Sequence, residues 1–171
     1  MGNESRSSAA LSALGPSRRV QHVHAVWRGE QRFESGRPDA PATVFDGHAR
    51  AGQSPVDALL SALAACSGID VVDILAKRRT PVSRVEIDIV AMRREEPPRR
   101  LTRLDVEYHV DGDGIEVEHA ERAVDLAFGK YCSVSASLAG DIEAYTVLVL
   151  NGERREPVRQ TLWSASNRTS G

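Results

Sequence analysis

Hydrophobic and polar residues alternate in six runs along the chain, and this period of two is typical of strands with one buried face. The runs are residues 20–27, 31–34, 42–46, 82–93, 101–110 and 142–150. The turn-forming segment REEPPRR separates the fourth run from the fifth. We therefore expect these two strands to pair antiparallel across that turn.

A long helix is predicted over residues 56–77, between the third and fourth strands. Ser54 suits the N-cap, and Pro55 suits the first helical position, where a missing N–H costs nothing. The segment is apolar nearly all round, which indicates a buried central helix. Basic residues beginning with Lys77 follow its last turn, and Pro81 ends it.

A second helix is predicted over residues 115–130, and Cys132 lies just beyond its end. Apolar residues recur there at helical spacing, at Val117, Ala120, Val124 and Ala127. The segment VSASLAG after Cys132 continues in short helical form. Blocks of strands that alternate with single helices indicate the α+β class.

Both ends of the chain differ from the patterned middle. Residues 1–19 are rich in Ser, Ala, Gly and Arg, which predicts a disordered or loosely attached arm. From Asn151 onward the tail is polar without sustained periodicity, so residues 151–171 are expected to be irregular, anchored by Leu162 and Trp163. One domain over residues 20–150 is the expected organisation.

Composition narrows the classes of partner. Hydrophobic residues make up 41% and charged residues 27%, with a formal net charge of -2. This balance favours neither nucleic acid nor an anionic membrane as a partner. We read no apolar run as approaching the roughly 20 residues that span a bilayer, and no secretory signal. A cytoplasmic location is therefore expected.

Cys66 and Cys132 are the candidate reactive residues. In a reducing compartment two cysteines are free, metal-bound or redox-active, although both would also suit the core as small hydrophobic residues. Gly68, two residues after Cys66 inside a helix, indicates that something approaches the backbone closely. Neither thiol has metal-ligand spacing around it, and we predict no metal and no cofactor.

Two segments carry a resemblance to a known family. QSPVDALLSALAACSGIDVVDILAKRR, followed by ERAVDLAFGKYCSVSASL, resembles the signature of the osmotically inducible protein C (OsmC) and organic hydroperoxide resistance superfamily, and within it the YhfA-like branch. The resemblance covers residues 20–149. It implies antiparallel sheets around the central helix, two chains intertwined as a homodimer with active sites at the interface, and thiol-dependent reduction of organic hydroperoxides or hydrogen peroxide.

The resemblance also implies roles for single residues. Cys66 would attack the peroxide and Cys132 would resolve the resulting sulfenic acid, with an external dithiol as reductant. Similar proteins use an Arg from an early strand, for which Arg28 and Arg32 are the candidates and Arg32 is preferred. They also use a Glu directly after the helix-opening Pro.

This chain departs from that pattern at the Glu position. Val56 occupies it, and Asp57 follows one residue later. A shift of one residue turns a side chain by about 100° around the helix. Asp57 therefore has two open interpretations, as a substitute for that Glu or as an acid that favours the helix dipole.

Two competing functions remain open at this point. One is a non-catalytic dimer that binds a small ligand or senses redox state through its thiols. The other is a structural dimer with inert buried thiols. Catalysis requires the two cysteine Cα atoms within roughly 7 Å and a cation that reaches Cys66.

Overall fold

The structure, a computed structural model, describes residues 21–162. Its contacts divide the chain into two compact units, Met1–Ala58 and Leu59–Gly171. The arm predicted over residues 1–19 and the anchor predicted at Trp163 lie outside the described residues. The class is α+β, as the sequence indicates.

The first unit contains a three-stranded antiparallel sheet. Its strands are β1 (His24–Trp27), β2 (Arg32–Gly36) and β3 (Thr43–Asp46), in that order. The first strand is shorter than predicted, because residues 21–23 form no strand. After β3 the Asp46 carboxylate accepts hydrogen bonds from the backbone N–H groups of His48, Arg50 and Ala51. These bonds lower the pKa of Asp46, and the bond from His48 has the largest effect on it. They also hold the loop that follows.

The long helix α1 spans Pro55–Lys77 and begins where the sequence predicts. The Asp57 N–H donates to Ser54 Oγ at 3.2 Å, and the Ser54 N–H donates to Asp57 Oδ2 at 3.3 Å. Two N–H groups that the helix cannot pair are thereby satisfied reciprocally, as in a capping box. Ser54 is the N-cap and Pro55 the first helical residue.

The second unit contains a mixed sheet. β4 and β5 pair antiparallel, as predicted, while β5 and β6 pair parallel. Parallel strands need a long crossover, and helical segments supply it here. The strands are β4 (Arg84–Arg93), β5 (Leu101–Asp111), β6 (Glu143–Leu150), β7 (Glu153–Arg154) and β8 (Val158–Gln160), and the crossover contains α2 (Val117–Leu126), a π-helix (Ala127–Tyr131) and a 3₁₀ turn (Ser135–Ser137).

One face of this sheet contributes to the core of the second unit. Alternate β5 side chains are buried, as the period-two pattern predicts. The crossover and one side of α1 contribute the other buried side chains. Members of this core include Leu63, Val71, Leu75, Leu104, Val106, Tyr108, Val110, Ala123, Ala127 and Phe128.

The prediction that α1 is buried is wrong for the single chain. Its buried residues are Leu63, Ser67, Gly68, Val71 and Leu75, all toward one side. Ile69, by contrast, is 63% exposed. The apolar residues that predicted burial therefore form an open face.

The prediction that no apolar run approaches a membrane span also needs correction. The most apolar 18-residue window of α1 has a mean hydropathy of 1.8, and 28% of it is buried. By length and composition alone the helix is sufficient to cross a membrane. This is weak support for a span, because the core helix of a soluble protein meets the same criteria.

The tail expected to be irregular from Asn151 instead forms two short strands. Both β7 and β8 pair antiparallel with β6. The Gln160 side chain is buried and donates to Thr146 Oγ1 at 2.9 Å, and Leu162 is buried as expected. Strands of two and three residues are too short to show alternation in sequence, which is why the pattern missed them.

Candidate functional site

The structure brings Cys66 and Cys132 together. Both are free thiols. The Cys66 side chain lies close enough to Cys132 to help raise the pKa of the Cys132 thiol. Cys66 is half-buried, while Cys132 is 1% exposed. The two sulfurs, far apart in sequence, thus share one site within the second unit.

The end of α2 positions Cys132. The helix widens into the π-helix, and the Cys132 N–H donates to the Ala127 carbonyl oxygen at 2.9 Å. The Ser135 hydroxyl lies 2.6 Å from the Phe128 carbonyl oxygen and 2.8 Å from that of Cys132. Single π turns are frequent at functional sites. Here the turn releases the chain so that the Cys132 side chain faces inward.

Burial raises the pKa of the Cys132 thiol. The Ser135 backbone N–H, whose nitrogen lies 3.4 Å from the sulfur, opposes that change, whereas the neighbouring Cys66 side chain raises the pKa further. A raised pKa keeps Cys132 protonated near neutral pH, because an ordinary thiol is already mostly protonated there.

Tyr108 and Ser67 complete the site, and sequence reasoning missed both. The Tyr108 hydroxyl donates to Ser67 Oγ at 2.8 Å, and both side chains are fully buried. Burial raises the pKa of Tyr108, and the nearby Cys132 and Cys66 raise it further, so the phenol is neutral beside the thiols. A usable signal was present, because alternation along β5 places Tyr108 on the inward face, where a buried hydroxyl requires a partner.

Gly68 lies where the backbone is approached closely, which confirms the sequence prediction. A Cβ atom at this position would lie 2.8 Å from Ile87 Cδ1. Beside it runs an open groove of about 560 Å³. Most of its lining is apolar, contributed by Ala64, Ala65, Ile69, Val72, Val85 and Ile87.

The other predicted site residues have their described contacts within the first unit. Arg28 Nε donates to Glu34 at 2.8 Å, so its charge is compensated locally. Arg32 lies 3.8 Å from Glu30, and its buried Nε has no hydrogen-bond partner within residues 21–162. Their roles at Cys66 stay predictions.

Asp57 is engaged in the capping box with Ser54, and it also accepts from the Ser54 hydroxyl at 2.7 Å. These contacts match the simpler interpretation of an acid that serves the helix start. Across residues 21–162, no three His, Cys, Asp or Glu side chains cluster closely enough to hold a metal ion.

The chain is similar to several known proteins. The sequence model of the family described as OsmC-like protein matches residues 47–146, which include both cysteines. Protein YhfA of Escherichia coli K12 is 42% identical over 85 residues, which is 50% of this chain and 63% of the relative. Protein YhfA of Shigella flexneri matches to the same extent. The match therefore spans less than two thirds of the curated relatives.

Solved structures share the architecture. A hypothetical protein from Aquifex aeolicus is 28% identical, with a TM-score of 0.71 over 78% of this chain and 97% of that one. An OsmC-like protein from Mycoplasma pneumoniae is 15% identical, with a TM-score of 0.68 over 78% of this chain and 99% of that one. The organic hydroperoxide resistance protein OhrB of Bacillus subtilis is 20% identical, with a TM-score of 0.51 over 76% of this chain and 96% of that one. The last two likenesses concern the fold alone.

Proposed function

The chain belongs to the OsmC-like protein family, and from this premise we propose that it is a thiol-dependent peroxidase acting through Cys66 and Cys132. Organic hydroperoxides are its proposed substrates, with hydrogen peroxide as the smaller alternative. The observation that carries the proposal is that two free thiols lie close enough for Cys66 to raise the pKa of Cys132. The resemblance of the two cysteine segments to the organic hydroperoxide resistance superfamily supports this substrate class.

The proposed first step is attack by the Cys66 thiolate on the peroxide O–O bond. That bond breaks, the sulfur gains one oxygen and loses two electrons, and the other oxygen leaves as an alcohol after taking up a proton. Cys66 suits this step because it is the more exposed of the two thiols, so a substrate meets it first.

Resolution by Cys132 is the proposed second step. The Cys132 sulfur attacks the Cys66 sulfenic acid, the S–O bond breaks, and the Cys132 proton leaves with the hydroxyl as water. An external dithiol then reduces the disulfide by exchange. Burial suits a residue that reacts with a neighbouring sulfur and not with the substrate.

Ionisation of Cys66 needs a cation or hydrogen-bond donors. We assign Arg32 to this role, with Arg28 as the alternative. The long 3.8 Å pair of Arg32 with Glu30 leaves its charge less compensated than that of Arg28, which is bonded to Glu34 at 2.8 Å. The part of Asp57 in the proposal is to hold the first turn of α1 through Ser54.

A homodimer completes the proposal. The open apolar face of α1 and the groove beside Gly68 have the character of a core helix without its cover. A second copy of this chain is the occupant that the family resemblance implies. We place this dimer in the cytoplasm, where dithiol reductants keep the cycle turning.

Single-turnover kinetics test the function. Fully reduced protein is mixed with stoichiometric cumene hydroperoxide or, in parallel, hydrogen peroxide, and thiols are titrated over time. We expect rapid loss of both thiols with an intramolecular disulfide, and no rapid loss in Cys66→Ser. In Cys132→Ser we expect a persistent Cys66 sulfenic acid, which a second equivalent of peroxide over-oxidises to the sulfinic acid. Thiol loss no faster than in urea-unfolded protein would refute the peroxidase.

The 560 Å³ groove favours a second candidate, a small-ligand-binding or redox-sensing dimer of the same fold. Its walls are apolar, as in sites for small hydrophobic ligands. Saturable binding of cumyl alcohol without peroxide-dependent disulfide formation would favour this candidate over the peroxidase.

A further inference from the structure

A directed hydrogen-bond chain links β5 to α1 beside the thiols. Tyr108 has one hydroxyl proton and donates it to Ser67 Oγ at 2.8 Å. Ser67 in turn donates its own proton to the Leu63 carbonyl oxygen at 2.9 Å. Each donor in the chain is used and none is exposed, because Tyr108 and Ser67 are fully buried.

This chain reaches α1 at the residue next to Cys66. A helix that packs through apolar contacts can turn about its own axis at modest cost, because those contacts have little directional preference. The nearby contact of Gly68 with Ile87 is of that kind. A hydrogen bond is directional, and it fixes the angle at which α1 presents its neighbouring side chain.

Tyr108 also lies close to the partner sulfur. Its phenol interacts electrostatically with Cys132 as well as with Cys66. One buried side chain from the sheet therefore interacts electrostatically with both thiols and is hydrogen-bonded to the residue next to Cys66. Loss of its hydroxyl would free α1 to turn without removing any part of either cysteine.

We propose that Tyr108, acting through Ser67, is a positioning residue that holds Cys66 facing Cys132 and so sets the effective concentration of the two thiols. The inference deepens the proposed function, whose resolution step depends on that concentration. It can nevertheless be measured without any peroxide. In a glutathione buffer the reduced pair and glutathione disulfide give the protein disulfide and two reduced glutathione molecules, with two electrons passing to glutathione.

The experiment measures that equilibrium in the full chain for Tyr108→Phe, Ser67→Ala and the double variant. Phe fills the same space and leaves Ser67 bonded to Leu63, so the fold should be retained. We expect the effective concentration to fall about threefold to tenfold in each single variant, the size of one net hydrogen bond. The double variant should fall no further, because both changes break the same link.

Tyr145→Phe is the matched control. Tyr145 pairs with Asp105 on the opposite face of the same sheet, with Arg103 over its ring at 4.7 Å. Losing its hydroxyl should leave the thiol equilibrium unchanged. A fall equal to that of Tyr108→Phe would overturn the proposal.

Stability is read separately by thermal unfolding. Ser67→Ala should lower the melting temperature more than Tyr108→Phe, because it leaves a buried phenol without an acceptor. If the two single variants lower the effective concentration equally but differ in melting temperature, the effect on the thiols comes from positioning and not from lost stability. The positioning role is overturned if Tyr108→Phe has the wild-type equilibrium with glutathione. It is also overturned if the effects of the two single changes add in the double variant.

Failure of the two proposals is distinguishable. The positioning role alone is refuted if the wild-type protein turns over peroxide and the Tyr108→Phe variant has the same thiol–disulfide equilibrium as the wild type. Wild-type protein that forms the disulfide from glutathione but ignores peroxide refutes the peroxidase alone. Wild-type protein that forms no disulfide in either assay refutes both.

Discussion

At the scale of the single residue, the two thiols differ in burial, because Cys66 is half-buried and Cys132 is buried. Burial and the neighbouring Cys66 side chain raise the pKa of Cys132, so its thiolate forms only above the usual range for a thiol. Iodoacetamide should therefore label Cys66 first at pH 7, while labelling of Cys132 should rise only as pH passes its raised value. Peptide mass spectrometry across pH 6–11 measures both rates.

The same experiment has an internal control. Cys66→Ala removes the contribution that Cys66 makes to the raised pKa of Cys132, so the labelling midpoint of Cys132 should move to lower pH without reaching the value of a solvated thiol. Faster labelling of Cys132 than of Cys66 at pH 7 would contradict the assignment of roles. The two cysteines were recognisable from sequence, whereas the Tyr108–Ser67 bond was not, because it depends on how α1 is rotated over β5.

At the scale of the element, the start of α1 depends on the reciprocal bonds between Ser54 and Asp57. Ser54→Ala removes an N-cap and should cost about 1 kcal/mol of unfolding free energy. Asp57→Asn keeps an oxygen acceptor, so stability should change less. Urea unfolding checks both, and single-turnover kinetics of Asp57→Asn show whether its charge also serves Cys66. A rate within about twofold of wild type is expected if capping is its role.

Glycine substitutions test how closely neighbouring elements pack. At Gly68 an added methyl meets the mobile end of Ile87 at 2.8 Å, while Ala favours the helix by about 1 kcal/mol. Gly68→Ala should therefore change stability by less than about 1 kcal/mol. At Gly52 the methyl would lie 2.2 Å from the Val44 carbonyl oxygen, which cannot rotate away, so Gly52→Ala should cost about 1–3 kcal/mol. Thermal unfolding that ranks them in the opposite order would contradict this account.

Helices and strands were predicted correctly where capping residues or alternation mark them in the local sequence. They were missed where a strand forms only because it pairs with another strand. Ser54 and Pro55 fix the start of α1, and period-two runs fix β4 and β5. The tail strands β7 and β8 exist because β6 offers them an unpaired edge. Apolar composition predicted a helix buried on all sides, yet the single chain covers only one side of it. Composition reports that a face must be covered, and it does not report which chain covers it.

At the scale of the whole molecule, that open face makes the association state the decisive property. Ile69 and Val72 stand on it, and burying each large apolar side chain contributes about 1.5–3 kcal/mol. Sedimentation should show two chains per particle for wild type, and Ile69→Asp or Val72→Asp should weaken association at least tenfold. Val158→Asp, a similarly exposed apolar position on β8, should leave association unchanged. A wild-type particle of one 18.6 kDa chain would exclude the dimer. Recovery with membranes, lost in Ile69→Asp, would instead assign the face to lipid, because α1 has the length and composition for that cover as well.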